Sequence, residues 1–211
     1  MKLKFIFLIS LASLLSASLI HAEDSIIIAK KNAVAAVMNA RQLGLALFEF
    51  ETEYGGYPST GTQKDVEETA GIKLPKDDKT SNYLLLQLFA AKITENEKLF
   101  HAAIPGCAVA DNVITPGEVL KKGENAFSYV AGLSTAGNPT RPLLLAPLIP
   151  GTTKFDPKPF NGKAIVLHID NSVTTYEIQE DGRIYRDGID LLSPKHPIWN
   201  GKIPDIRYPD L

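Results

Sequence analysis

His168 and Asp170 stand two residues apart in the run AIVLHID (164–170). Alternate residues of a strand share a face, so the imidazole and the carboxylate would project together. With further ligands they could hold a metal ion. No His-x-x-x-His and no cysteine pair accompanies them, and two ligands fall short of a zinc site. The pair therefore reads as a surface imidazole beside a turn. A second group is Asp181, Asp187 and Asp190, in EDGRIYRDGID (180–190). Calcium takes about six to eight oxygens, and this loop could supply several, which makes these three the candidate calcium ligands. Their order is not that of an EF-hand, and Asp-Gly is also the ordinary turn dipeptide. The turn reading is preferred, and no cofactor is expected.

Nucleophilic chemistry has less to build on. Ser134 follows Gly132 but lacks the second glycine of a Gly-x-Ser-x-Gly elbow. There is no phosphate-binding loop and no Gly-x-Gly-x-x-Gly. The acid pairs Glu67-Glu68 and Asp77-Asp78 lie in polar stretches and read as solvated. Cys107 is the one cysteine, with His101 the nearest histidine in sequence. It reads as a small apolar loop residue; an intermolecular bridge or a nucleophile are the alternatives. His196, between Lys195 and Pro197, is expected to be exposed. Without a nucleophile–base constellation, no enzyme is expected. Tyr176, Tyr185, Trp199 and Tyr208 could form an exposed binding face for protein or glycan, or Trp199 could be buried and pin the tail.

The elements that would position these residues follow from pattern. MKLKFIFLISLASLLSASLIHA (1–22) has a basic start, a short apolar run, and Ile20 and Ala22 at the positions three and one before a cut. It reads as a signal peptide removed between Ala22 and Glu23, rather than a retained anchor, because serines interrupt the length of about 20 apolar residues that a span needs. Export follows, to the periplasm, the cell surface or the medium, with no membrane-spanning segment left after cleavage. From Ser25 to Tyr54 there is no proline and one glycine, Gly44. Ala29, Ala33, Ala36, Ala40, Leu43, Leu47, Phe50 and Tyr54 recur at steps of three and four, which predicts an amphipathic helix over about 25–54, capped by Asp24 or Ser25 and stopped at GGYP (55–58). The large residues at its C-terminal end predict docking there and light packing before it. A second helix is predicted over 82–93 with Ser81 as its cap, a weak one at 66–70, and a short piece at 95–100.

Beyond Pro105 the period falls to two. Strands are predicted at 127–133, 164–169, 173–178 and 183–186, as an antiparallel meander of three or four strands. Leu143–Ala146, hemmed by Pro142 and Pro147, predicts an edge strand or loop. The proline-rich tail from Leu191 should run extended over the domain. One α+β domain, 23–211, is expected, with a variable region at about 59–125 and the meander and tail at about 126–211. The formal charge is −2 for the whole chain, and −4 without Lys2 and Lys4 of the leader. That balance argues against nucleic acid as a partner.

The segment NARQLGLALFEFETEYGGYP (39–58) resembles the second half of the long helix, and its stop, in type IV pilin-like proteins and type II secretion pseudopilins. The strand–turn–strand VLHIDNSV (166–173) is similar to the late hairpin of that family. The resemblance implies a pilin-like head, a long helix packed on a small antiparallel meander. Some major pseudopilins hold calcium in a C-terminal loop, the place that Asp181, Asp187 and Asp190 would take here. The chain lacks the Gly-Phe-type processing site of the precursors, and Lys30, Lys31 and Asn32 interrupt the place of their apolar helix. It therefore reads as a soluble head without the assembly helix, monomeric or a small oligomer. The expected function is a non-enzymatic structural or accessory component of a secretion or surface-fibre system, with other envelope or secretion-system proteins as partners. The alternative is a soluble periplasmic or secreted ligand-binding or adhesive module on the same fold.

Overall fold

In a computed structural model the chain is described over residues 2–75, 79–115 and 117–211, with side chains from Glu23 onward. The side chains of the predicted leader and the pair Asp77-Asp78 lie outside the described residues. The chain opens with α1 (Lys2–Tyr54). The predicted cap at Asp24 or Ser25 does not start a helix, since no proline or glycine precedes Gly44 and nothing interrupts the backbone ladder. The stop is where the pattern puts it: Gly55 takes the left-handed φ of 74° and its N–H donates to the Glu51 carbonyl at 2.8 Å. The apolar stripe divides as expected. Ala36, Ala40, Leu43, Leu47 and Phe50 are fully buried, while Ala29 and Ala33 are half-buried.

α2 (Gln63–Ala70) and α3 (Ser81–Ala90) follow, then a 3-10 turn, Glu97–Phe100. The cap of α3 is Thr80 rather than Ser81: the Thr80 hydroxyl oxygen accepts from the Tyr83 N–H. Ser81 is drawn into the core, where its hydroxyl donates to the Phe127 carbonyl at 2.8 Å.

The strands are β1 (Ser128–Ala131), β2 (Pro142–Ala146), β3 (Lys163–His168), β4 (Val173–Glu177), β5 (Tyr185–Arg186), β6 (Ile189–Asp190) and β7 (Asp205–Arg207). Five make one antiparallel sheet in the order β4-β3-β2-β1-β7. Three expectations are corrected. β2 is interior, between β1 and β3, because its prolines sit at or beyond its ends and the residues between keep their N–H donors; a bulge between Pro142 and Leu144 absorbs the first. The 183–186 segment does not extend the meander. It turns away at Gly182 and forms a two-stranded ribbon, β5-β6. The tail is not extended from Leu191: it runs through turns and a 3-10 turn as far as Gly201, and only beyond that is it extended, where it contributes β7, with Val130 opposite Ile206.

The sheet is covered on both faces. Tyr129, Leu144, Ile165 and Leu167 pack with Leu43, Leu47 and Phe50 of α1 and Leu84 and Leu88 of α3. Val130, Leu145, Ala164 and Val166 pack under Phe155, Ile184, Leu191 and Trp199. Burial on both sides explains why AIVLHI is nearly all apolar. The architecture is α+β, a long helix on a small antiparallel sheet with a loop-rich tail.

Candidate interaction surface

α1 has two apolar faces. At about 100° per residue, Ile27, Val34, Met38 and Leu45 fall within a narrow strip opposite the docked stripe, with Phe48 beside it. These five are between 52% and 64% exposed. Their steps of 7, 4, 7 and 3 are the spacing of a helix–helix seam. Lys30 and Lys31 flank one end of the strip and Glu49 and Glu53 the other, all exposed. Among the described residues no helix is long and apolar enough to cross a membrane.

The docked face is held in register by polar contacts as well. Asn39 donates its side-chain amide to the carbonyls of His101, at 2.9 Å, and Lys98, at 3.3 Å. Glu51 accepts from Thr135 at the far end of the helix. These bonds tie α1 to loops far along the chain, so the outer strip is presented from a rigid element.

The residues singled out for chemistry are mostly used internally. His168 is buried, not on the surface as expected, because β3 is covered on both faces. Its Nδ1 lies 2.9 Å from the Thr140 carbonyl. Burial pushes its pKa below the usual imidazole range, against the opposing effect of that carbonyl. Asp170 does not join it in a site. Its Oδ1 accepts from the Ser172 N–H at 2.9 Å and hydroxyl at 2.6 Å. Although burial works the other way, these bonds hold its carboxyl below the usual range.

The acidic loop is likewise self-contained. Asp181 accepts from the Arg183 N–H and the Tyr185 hydroxyl, Asp190 from the Leu192 N–H, and the Asp190 carboxylate meets the Arg183 guanidinium at 3.3 Å. Asp187 lies 3.8 Å from Arg186. Among the described residues no three histidine, cysteine or acidic side chains group as metal ligands would. Cys107 is half-buried and has no disulfide partner among the described residues, and burial pushes its thiol up, the reverse of what activates a nucleophile. His196 is buried rather than exposed: it caps a 3-10 turn, Pro197–Trp199, because the tail folds back over the sheet. Trp199 is buried too, its indole N–H donating to the Leu191 carbonyl at 2.7 Å, and Tyr208 donates to the Thr152 carbonyl. The four C-terminal aromatics therefore do not make one exposed face.

No family model, no curated protein and no solved structure matches the chain.

Two of the concavities among the described residues border the elements discussed above. One, of about 600 Å³, is largely apolar and lies between α3 and the 114–121 segment, with Leu74, Leu86, Phe89, Ile114 and Val119 in its walls. The other, about 190 Å³, is formed by Thr140, His168, Ser172, Thr174, Tyr176 and Arg186. The strip on the back of α1 lies outside the alanine–leucine stripe that predicts the helix. The signal was present as two seven-residue steps, Ile27 to Val34 and Met38 to Leu45. It has the same periodicity as a core stripe, and only the placement of the sheet tells the two apart.

Proposed function

We propose that this chain is an exported, non-enzymatic, pilin-like protein that serves as a structural or accessory component of a secretion or surface-fibre system. It works by contact with other envelope proteins and needs no cofactor. The observation that carries this reading is the double-faced helix: α1 is docked by one stripe and offers a second apolar strip to solvent. Isolated exposed apolar residues are ordinary, whereas a continuous strip along a helix marks an interaction face. The resemblance of residues 39–58 to pilin-like helices, and the helix-on-meander layout, support the same role.

The test uses the full chain with its own leader, expressed in its native envelope, with a photo-crosslinking residue in place of Leu45. Capture of a secretion-system or fibre component, on a chain whose intact mass begins at Glu23, is the expected result. A mass that retains residues 1–22, or crosslinks that fail to reach any such component, overturns it.

The apolar cleft of about 600 Å³ favours a second reading, a ligand-binding module on the same fold. Binding of a peptide or sugar by the isolated chain, lost on Leu86→Glu, would support that reading instead.

A further inference from the structure

We propose that the outer strip of α1 is a self-association seam on which a second copy of this chain lies antiparallel. The inference rests on the reading of this face as a contact surface and names its occupant. Charge decides the orientation. The strip carries Lys30 and Lys31 between Ile27 and Val34 and is followed at its other end by Glu49 and Glu53, with Glu23 and Asp24 beyond Ile27. A parallel pair would set the lysines of one copy beside those of the other, and the glutamates likewise. An antiparallel pair does the reverse. Lys31 and Glu49 are eighteen positions apart, about five full turns, so they lie on the same flank of the helix. In an antiparallel pair, like flanks meet. A two-fold axis near Asn39 and Ala40 therefore sets Lys31 of each copy against Glu49 of the other, and in the same register Val34 against Leu45. Lys31 and Glu49 are both exposed and free for this pairing among the described residues. Arg41 falls beside Met38 of the second copy, where its stem can cover the thioether while its guanidinium stays in water.

The size of the strip sets the strength. From Ile27 to Phe48 it runs about 30 Å, at 1.5 Å per residue. A band one helix wide over that length buries well under the roughly 800 Å² per partner of a standard interface. The dimer is accordingly reversible and dissociates on dilution.

The test is light scattering and sedimentation of the full chain, processed by an exporting host, from micromolar to millimolar concentration. A monomer–dimer equilibrium is expected. Lys31→Glu should weaken it by at least about fivefold, the effect of losing two exposed ion pairs at once, and Lys31→Glu with Glu49→Lys should restore it. In a Cys107→Ser background, mixed Val34→Cys and Leu45→Cys chains should form the 34–45 disulfide in preference to either like pair. A chain that stays monomeric at millimolar concentration overturns the inference, as do like-pair disulfides. A monomer whose position 45 still crosslinks to a fibre or secretion component would sink self-pairing and leave the proposed function standing. A monomer that crosslinks to nothing would sink both.

Discussion

Asn171, at the turn between β3 and β4, presses its side-chain oxygen against Gly44 of α1: a Cβ built on that glycine would stand 1.9 Å from Asn171 Oδ1 and 2.9 Å from Leu167 Cδ1. Glycine inside a helix costs about 1 kcal/mol relative to alanine. Here the missing side chain is what lets the sheet approach the helix. Gly44→Ala should therefore destabilise the fold despite its better helix propensity. Asn171 holds the left-handed φ of 63°, which suits glycine, so Asn171→Gly should be tolerated and should recover most of the loss in the double variant. Denaturant midpoints of the four proteins check this. A Gly44→Ala chain more stable than the parent would mean the turn moves away freely.

Glu51 is the polar counterpart of that contact. Its Oε1 accepts the Thr135 N–H at 2.6 Å and the Thr135 hydroxyl at 3.0 Å, joining the last turns of α1 to the loop after β1. Glu51→Ala leaves a part-buried N–H without its acceptor and should cost about 1–3 kcal/mol. Glu51→Gln keeps an acceptor oxygen and should cost less. Urea unfolding of the two variants separates the outcomes; equal losses would mean that charge, not the acceptor, matters.

Leu47 is fully buried in the middle of the docked stripe, between Leu43 and Phe50. Leu47→Ala should cost about 2–5 kcal/mol. Leu45→Ala, on the opposite face, should change the stability of the monomer by less than about 0.5 kcal/mol. Thermal or chemical unfolding at low protein concentration tests the contrast, and similar losses would show that the outer strip is also internal.

His168 gives the fold a dependence on acid. Its pKa is depressed by burial, so the folded state favours the neutral ring. Its contribution is complete above the unfolded value of about 6.5 and is lost as pH falls through the lower folded value. Half-buried His101 is shifted the same way, so His168→Leu should flatten, not abolish, the loss of stability between pH 7 and pH 5. Asp170 acts in a separate window, because its depressed carboxyl matters only at lower pH. A pH slope unchanged by His168→Leu would place the titration elsewhere.

What local pattern determines, the sequence shows directly. Steps of three and four mark the buried stripe of α1, Gly55 marks its end, and Asp170-Asn171 marks the turn between β3 and β4. Each depends on neighbours within a few residues, where periodicity and turn chemistry act. What depends on distant partners had to wait for the tertiary structure. Pro142 and Pro147 argue for an edge, yet β2 is central because β1 and β3 close on both of its sides. The tail reads as wrapping, and only pairing with Val130 makes its Ile206 part of a strand. His168 and His196 read as exposed, and the residues that bury them come from other parts of the chain. Gly44 reads as a blemish in a helix until Asn171 arrives against it. The strip of Ile27, Val34, Met38 and Leu45 is as legible as the core stripe, for both are apolar at helical spacing. Which of the two faces is buried was decided by where the sheet docks, and docking is a sum over long-range contacts that no local window contains.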